Sequence, residues 1–215
     1  TPGQKKDLVK ACSETVPEMS FVDAEAVLAD KGPLVAEFCS AIERRRPSGL
    51  ANRQLAAWQK IYRDHFGIEL GVVTIPVPRK GFDRLIVVAH GVTIQQGYDV
   101  CKTLFPCWDI GYNMDEAIPT NDRMPTNGAY AIWARDRIEA DEELKNLSAN
   151  DLASKAVQTE TALERELHEI VYFLETGKHL DIKNVTLITG SRSDIGSVPR
   201  ASWDSGKFYV SVFWY

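Results

Sequence analysis

The sequence predicts an α+β protein, with a helical N-terminal portion followed by an α+β domain whose sheet is mainly antiparallel. Three observations carry this. Apolar residues recur at steps of three and four through the first third of the chain. The middle alternates strand, helix and strand, and the last third holds short β-branched and aromatic runs bounded by turn residues. The boundary is expected near residue 75, giving a helical region 1–75 and an α+β domain 76–215.

Ser20, with Asp23 three residues on, predicts a helix N-cap, and Phe21, Val22, Ala24, Val27 and Leu28 fall mainly at helical spacing behind it. Lys31-Gly32-Pro33 is expected to end that helix. A second, starting at Pro33, places Leu34, Val35, Phe38 and Ile42 on one face and closes on Arg44-Arg45-Arg46. Pro47-Ser48-Gly49 reads as a break. Over 50–66, Leu55, Trp58, Ile61 and Tyr62 predict a third helix with Gly67 as its C-terminal stop. Residues 68–81 mix β-branched side chains with Pro76 and Pro78, the pattern of an edge strand or linker.

A β-rich run over 84–90 predicts a strand, Thr93 caps a helix through Phe105, and 108–114 reads as a short extended piece. The stretch 115–128, rich in Pro, Asn and Asp, has no period and is a candidate binding loop or lid. Residues 130–135 read as a strand. Ser148 with Asp151 and Thr161 with Glu164 have capping-box spacing. The second box opens a helix with Leu163, Leu167, Ile170, Val171 and Leu174 inward and Gly177 just past its end. Strands are predicted at 185–189, 198–203 and 207–214, the last two joined through Asp204-Ser205-Gly206 as a hairpin.

At 215 residues and 44% hydrophobic content the chain buries a substantial core. No apolar run approaches the roughly 18 residues a membrane helix needs. Residues 1–10 are polar, without the apolar stretch of a secretory signal, so a cytoplasmic location with no membrane partner is expected. Cys12, Cys39, Cys101 and Cys107 lack CxxC spacing and read as buried thiols. The net charge of −5 is uneven: residues 1–80 hold 12 basic and 10 acidic side chains, and residues 81–215 hold 13 and 20.

The His90-Gly91 turn after a strand is the kind that helps build an oxyanion hole in α/β-hydrolases, but no G-x-S-x-G nucleophile elbow accompanies it. After the strand at 130–135 comes a dense run of alternating charge. If it turns helical after Asp136, Glu139 and Glu143 share a face and Asp136 lies beside Arg135 or Glu139. Grouped carboxylates can hold Mg²⁺ or Mn²⁺ or move protons, and His179 and Asp181 extend that candidate catalytic set. The loop 190–197 offers Ser191, Arg192 and Asp194, residue types that cradle a phosphate or carboxylate. Arg44, Arg45, Arg46, Arg53, Lys60 and Arg63 beside Trp58 and Tyr62 form a minimal nucleic-acid footprint. The tail 208–215 is apolar on both faces, suiting a central strand or a contact between copies of the chain.

The words YAIWARDRIEADEELKNLSAN at 130–150, ETGKHLD at 175–181 and GSR at 190–192 resemble a family of uncharacterised bacterial proteins, the likeness covering mainly residues 82–203. It implies a bacterial or mobile-element origin and carries no activity, ligand or site residue with it. The leading functional expectation is a non-enzymatic binding or accessory protein, meeting protein or nucleic acid through its N-terminal helices. The alternative is a metal-dependent hydrolase or phosphoryl-transfer enzyme using Asp136, Glu139, His179 and Asp181, with Arg192 on an anionic substrate and Arg135 as a further ligand-binding candidate. A third reading is a structural homo-oligomer joined through the C-terminal strand.

Overall fold

In the computed structural model, residues 10, 20–29, 31–33, 35–37 and 47–212 are described. The chain divides into two compact units, 1–49 and 50–215. Within the first, helix α1 (Phe21–Ala29) is capped as expected, the Asp23 amide donating to Ser20 Oγ. Lys31, Gly32 and Pro33, expected to end that helix, are themselves helical. Phe38, Ile42, Arg44, Arg45 and Arg46 lie outside the described residues, as do Cys12 and Cys39.

Pro47-Ser48-Gly49 opens a helix where a break was expected. Helix α2 (Pro47–Ile61) begins at the proline, whose fixed φ and missing N–H suit a first helical position. It continues as a π-turn over Tyr62–Phe66 and stops at Gly67, which takes φ 67° and returns its amide to the Tyr62 carbonyl. Gln54, Trp58 and Tyr62 stand four residues apart on one stripe, and all three hydrogen-bond strand β1 (Arg84–Val88). The Leu85 amide donates to Gln54 Oε1, Trp58 Nε1 donates to the Leu85 carbonyl, Tyr62 Oη donates to the Val87 carbonyl, and the Ala89 amide donates to Tyr62 Oη. An edge strand is thereby finished by helix side chains. The expected boundary near residue 75 assigns this helix to the N-terminal region; its packing here is against β1.

The other edge of β1 pairs antiparallel with β3 (Tyr130–Ala134), Ile86 opposite Ile132. Between them lie α3 (Ile94–Leu104), capped by Thr93 with Gln96 completing a capping box, the short helix α4 (Met114–Ala117), and strand β2 (Thr120–Asn121). The stretch 115–128 is therefore not without regular structure. Asn113 caps α4, while the Asp115 carboxylate accepts the Ile94 amide at the start of α3. After β3 the chain makes only a single 3₁₀ turn, Glu142–Leu144, and α5 (Ala149–Ser154) follows. Helix α6 (Ala162–Thr176) packs against α3 and β1. Strand β4 (Thr186–Leu187) joins β6 (Arg200–Asp204) and β7 (Lys207–Ser211) in an antiparallel sheet, and β5 (Ser191–Arg192) pairs with β2. All named ladders are antiparallel, and the fold is α+β.

Helix α6 does not have the one-sided amphipathic burial that its pattern predicts. Leu163, Leu167, Ile170 and Val171 are buried as expected, but so are Glu164, Arg165, Glu166, His168 and Glu169, while Leu174 is exposed. Covered by α3 on one side and β1 on another, the helix buries its charges in pairs. Arg165 Nη1 donates to Glu169 Oε2 at 2.9 Å and Nη2 to Asp181 Oδ2 at 2.8 Å. Glu164 receives Arg123 through two hydrogen bonds of 2.8 and 2.7 Å, and Glu160 faces His168 Nδ1 at 2.8 Å. Glu166 alone in this run has both oxygens buried without a hydrogen-bond partner.

No helix among the described residues is long and apolar enough to cross a membrane. The tail strand β7 is internal over Phe208 and Val210, its Phe208 carbonyl receiving the Trp108 amide; residues 213–215 lie outside the described residues.

Candidate functional site

The acids and bases singled out in the sequence are each engaged by a separate partner. Asp136 does not open a helix beside Glu139; its Oδ1 accepts Arg84 Nη2 at 2.7 Å, and the same guanidinium reaches Glu175 at 2.6 Å. Glu139 accepts the backbone amides of Lys183 and Asn184 at 3.1 and 2.9 Å. Arg135 lies 2.9 Å from Asp141, and Glu143 binds Arg137, whose hydrogen bond holds its carboxyl down at about 2. Alternating charge here builds a cross-linked surface turn, because β3 ends at Ala134 and Arg84 then draws Asp136 back towards β1. Among the described residues no three His, Cys, Asp or Glu side chains group as metal ligands would.

His179 and Asp181 meet through the α6 charges. His179 Nδ1 lies 2.9 Å from Glu169 Oε1, with its ring stacked on Trp203 and Phe173. Burial alone would raise the Glu169 carboxyl, but the Arg165 charge and the His179 hydrogen bond outweigh it and hold the group below its usual range. Asp181 adopts φ 52°, a left-handed conformation that aspartate tolerates, and its carboxylate is spent on Arg165. The pair is the frame for the β6 end of the molecule, the Trp203 amide donating to the Asp181 carbonyl.

Arg192 stands apart. Its Nη1 donates to the carbonyls of Thr189 and Ser191, both at 2.7 Å, and no carboxylate among the described residues lies in ion-pair range of it. Arg192 borders a half-open, mainly polar cavity of about 90 Å³ together with Asp122, Thr159, Thr189 and the α5 residues Ala149, Leu152, Ala153 and Val157. Ser191 does not reach that cavity. Its Oγ accepts the Ala162 amide at 2.8 Å and donates to Asn121 Oδ1 at 2.5 Å, tying the start of α6 to β2. Asp194 faces a different, shallower groove, lined by Tyr112, Glu116, Ile195 and Val212.

Four chain segments are stitched together around this cavity. The Asp122 amide donates to the Gly190 carbonyl, the Gly190 amide donates to the Glu160 carbonyl, and Thr189 Oγ1 donates to Thr159 Oγ1 at 2.8 Å. Arg123 donates to the Thr159 carbonyl while gripping Glu164. Glycine is required at 190, since a Cβ there would stand 2.6 Å from the Glu160 carbonyl oxygen. The fourth segment, α5, ends in a Schellman turn: the Val157 amide bonds the Leu152 carbonyl, the Ala156 amide bonds that of Ala153, and Ala156 takes φ 52°. An alanine in that conformation costs about 1 kcal/mol against glycine. Ala156→Gly is therefore expected to raise the thermal midpoint by about 2–4 °C, read in a melting curve; no change would show that the turn is not held as described.

The sequence identified Arg192 by residue type and the stretch 115–128 as a binding loop, and Asp122 comes from that loop. Thr159 and Thr189 were missed. Each is a lone threonine at the end of an element, and nothing local shows that the two hydroxyls meet.

The nucleic-acid footprint loses its aromatic half: Trp58 and Tyr62 are fully buried, and Lys60 and Arg63 pair with Asp64 and Glu69. Fold and cavity together define an α+β protein with a preorganised polar cavity beside a half-buried arginine. Comparison with protein-family models, curated proteins and solved structures gives no match to this chain.

Proposed function

We propose that the protein is a binding protein that captures a small anion at Arg192. One observation carries this reading: Arg192, half-withdrawn from solvent and steadied by two backbone carbonyls, borders a cavity and has no carboxylate within ion-pair distance among the described residues. Arginine so placed offers the remaining donors of a planar fork, the geometry that suits a carboxylate or phosphate. Thr159 Oγ1 accepts from Thr189, so its own proton is free to point at a ligand oxygen. The frame is assembled before any ligand arrives, which lowers the ordering cost of binding.

The size is that of a small metabolite or the tip of a larger one. A cavity of about 150 Å³ takes benzene, so about 90 Å³ suits a group of four or five heavy atoms, with the open side leading to solvent. We further read the protein as bacterial and cytoplasmic. The resemblance of residues 82–203 supports the first, and the free thiols of Cys101 and Cys107 support the second, burial pushing the Cys107 thiol up to about 12.

Calorimetric titration with acetate and with inorganic phosphate tests the proposal, with Arg192→Met as the comparison. At least one anion is expected to bind the parent protein and to lose tenfold or more in affinity on Arg192→Met, with Arg192→Lys intermediate. Equal binding by parent and Arg192→Met would overturn it.

A further inference from the structure

The cavity holds a second unpaired charge of opposite sign. Asp122 lines the same space as Arg192, yet the two are not ion-paired, and its carboxylate has no hydrogen-bonded side-chain partner among the described residues. Arg123, next in the chain, turns away to Glu164 and the Thr159 carbonyl, and acts on Asp122 only as a charge through space. The Asp122 backbone is fixed by its amide bond to the Gly190 carbonyl, so Asp122 and the β5 residue Arg192 are held on facing segments. Two opposite charges in one small cavity would close on each other if the backbone allowed it; a frame that keeps them apart leaves neither in a direct ion pair.

We propose that the ligand is a small zwitterion, an α-amino acid of about the size of glycine. The inference rests on the anion-binding reading of the same cavity and adds the cationic end. Its carboxylate lies against the Arg192 fork and the Thr159 hydroxyl, and its ammonium against Asp122. A site of this size admits glycine, and alanine only with its methyl group towards the open side.

Glycine, L-alanine, acetate and methylamine, titrated separately into the 215-residue protein, decide the matter. L-Alanine or glycine is expected to bind at least tenfold more tightly than acetate, and methylamine to bind no better than acetate. Asp122→Asn, which keeps shape and removes charge, is expected to bring the amino acids down to the acetate level and leave acetate unchanged or slightly improved. Equal affinity for acetate and glycine, or amino-acid binding untouched by Asp122→Asn but lost in Arg192→Met, overturns the zwitterion while the anion site stands. Binding of acetate or of an amino acid that survives Arg192→Met overturns both, as does the failure of all of these and of inorganic phosphate to bind. Melting curves of each variant establish that it is folded before its affinity is read.

Discussion

Replacing Arg165 with methionine is expected to lower the unfolding free energy by about 3–5 kcal/mol, because breaking a buried ion pair from one side leaves the other side's charge uncompensated. Arg165 is 1% exposed and lies between Glu169 and Asp181, which are 0% and 2% exposed. Its guanidinium also lies 5.5 Å over the Phe208 ring, so methionine retains some packing while losing every donor. The deficit has a pH signature. In the parent protein Glu169 is held below its usual range, so its contribution is present at neutral pH and fades as pH falls through the folded value. Without Arg165 that carboxyl rises, so the gap between parent and variant narrows on acidification. Urea titrations at pH 7 and pH 4.5 read both effects. A loss under about 1 kcal/mol would mean that the network is not closed in solution.

Glu166→Gln is expected to act in the opposite direction. Glu166 is wholly buried, and both its oxygens lack hydrogen-bond partners. The residue is accommodated because position 97 on α3 is glycine, where a Cβ would stand 2.4 Å from Glu166 Oε2. Burial, reinforced by the negative charges of Asp115 and Asp99 and opposed by Arg165, pushes its carboxyl well above the usual range. A carboxyl raised in the folded state favours folding fully below its unfolded value, and that advantage is lost as pH climbs towards the folded value. The parent protein is thus expected to weaken from about pH 4.5 upward on account of this residue alone. Glutamine removes the dependence, which amounts to about 1.4 kcal/mol for every pH unit between the unfolded and folded values. Melting curves from pH 4 to pH 9 should show the variant gaining on the parent with rising pH and matching it near pH 4. A variant less stable than the parent at pH 8 would contradict this and point to an ionised Glu166 with a structural role.

Local grammar was legible in the sequence, and long-range pairing was not. The capping boxes at Ser148 and Thr161, the stops at Gly67 and Gly177, and the strands around Ile86, Ile132 and Phe208 all stand where spacing predicts them. Each depends on residues within a turn or strand of one another. The burial of the α6 charges was not legible, because nothing within the helix shows that α3 and β1 cover it. Arg165 finds Asp181 sixteen positions on, and Arg84 finds Glu175 ninety-one positions on; no period encodes either. The candidate site shares this character. Arg192 and the loop bearing Asp122 were visible as chemistry, but the cavity is made by four segments that meet only in the fold.

The anion site at Arg192 is tested most directly by amide and arginine side-chain NMR shifts during a titration with L-alanine and, separately, acetate. Saturable shifts are predicted, confined to Asp122, Thr159, Thr189 and Arg192 and the α5 wall, with the Arg192 Nε–H signal moving most. Shifts scattered over the exposed lysines, or none at Arg192 while other residues respond, would contradict the assignment of the site.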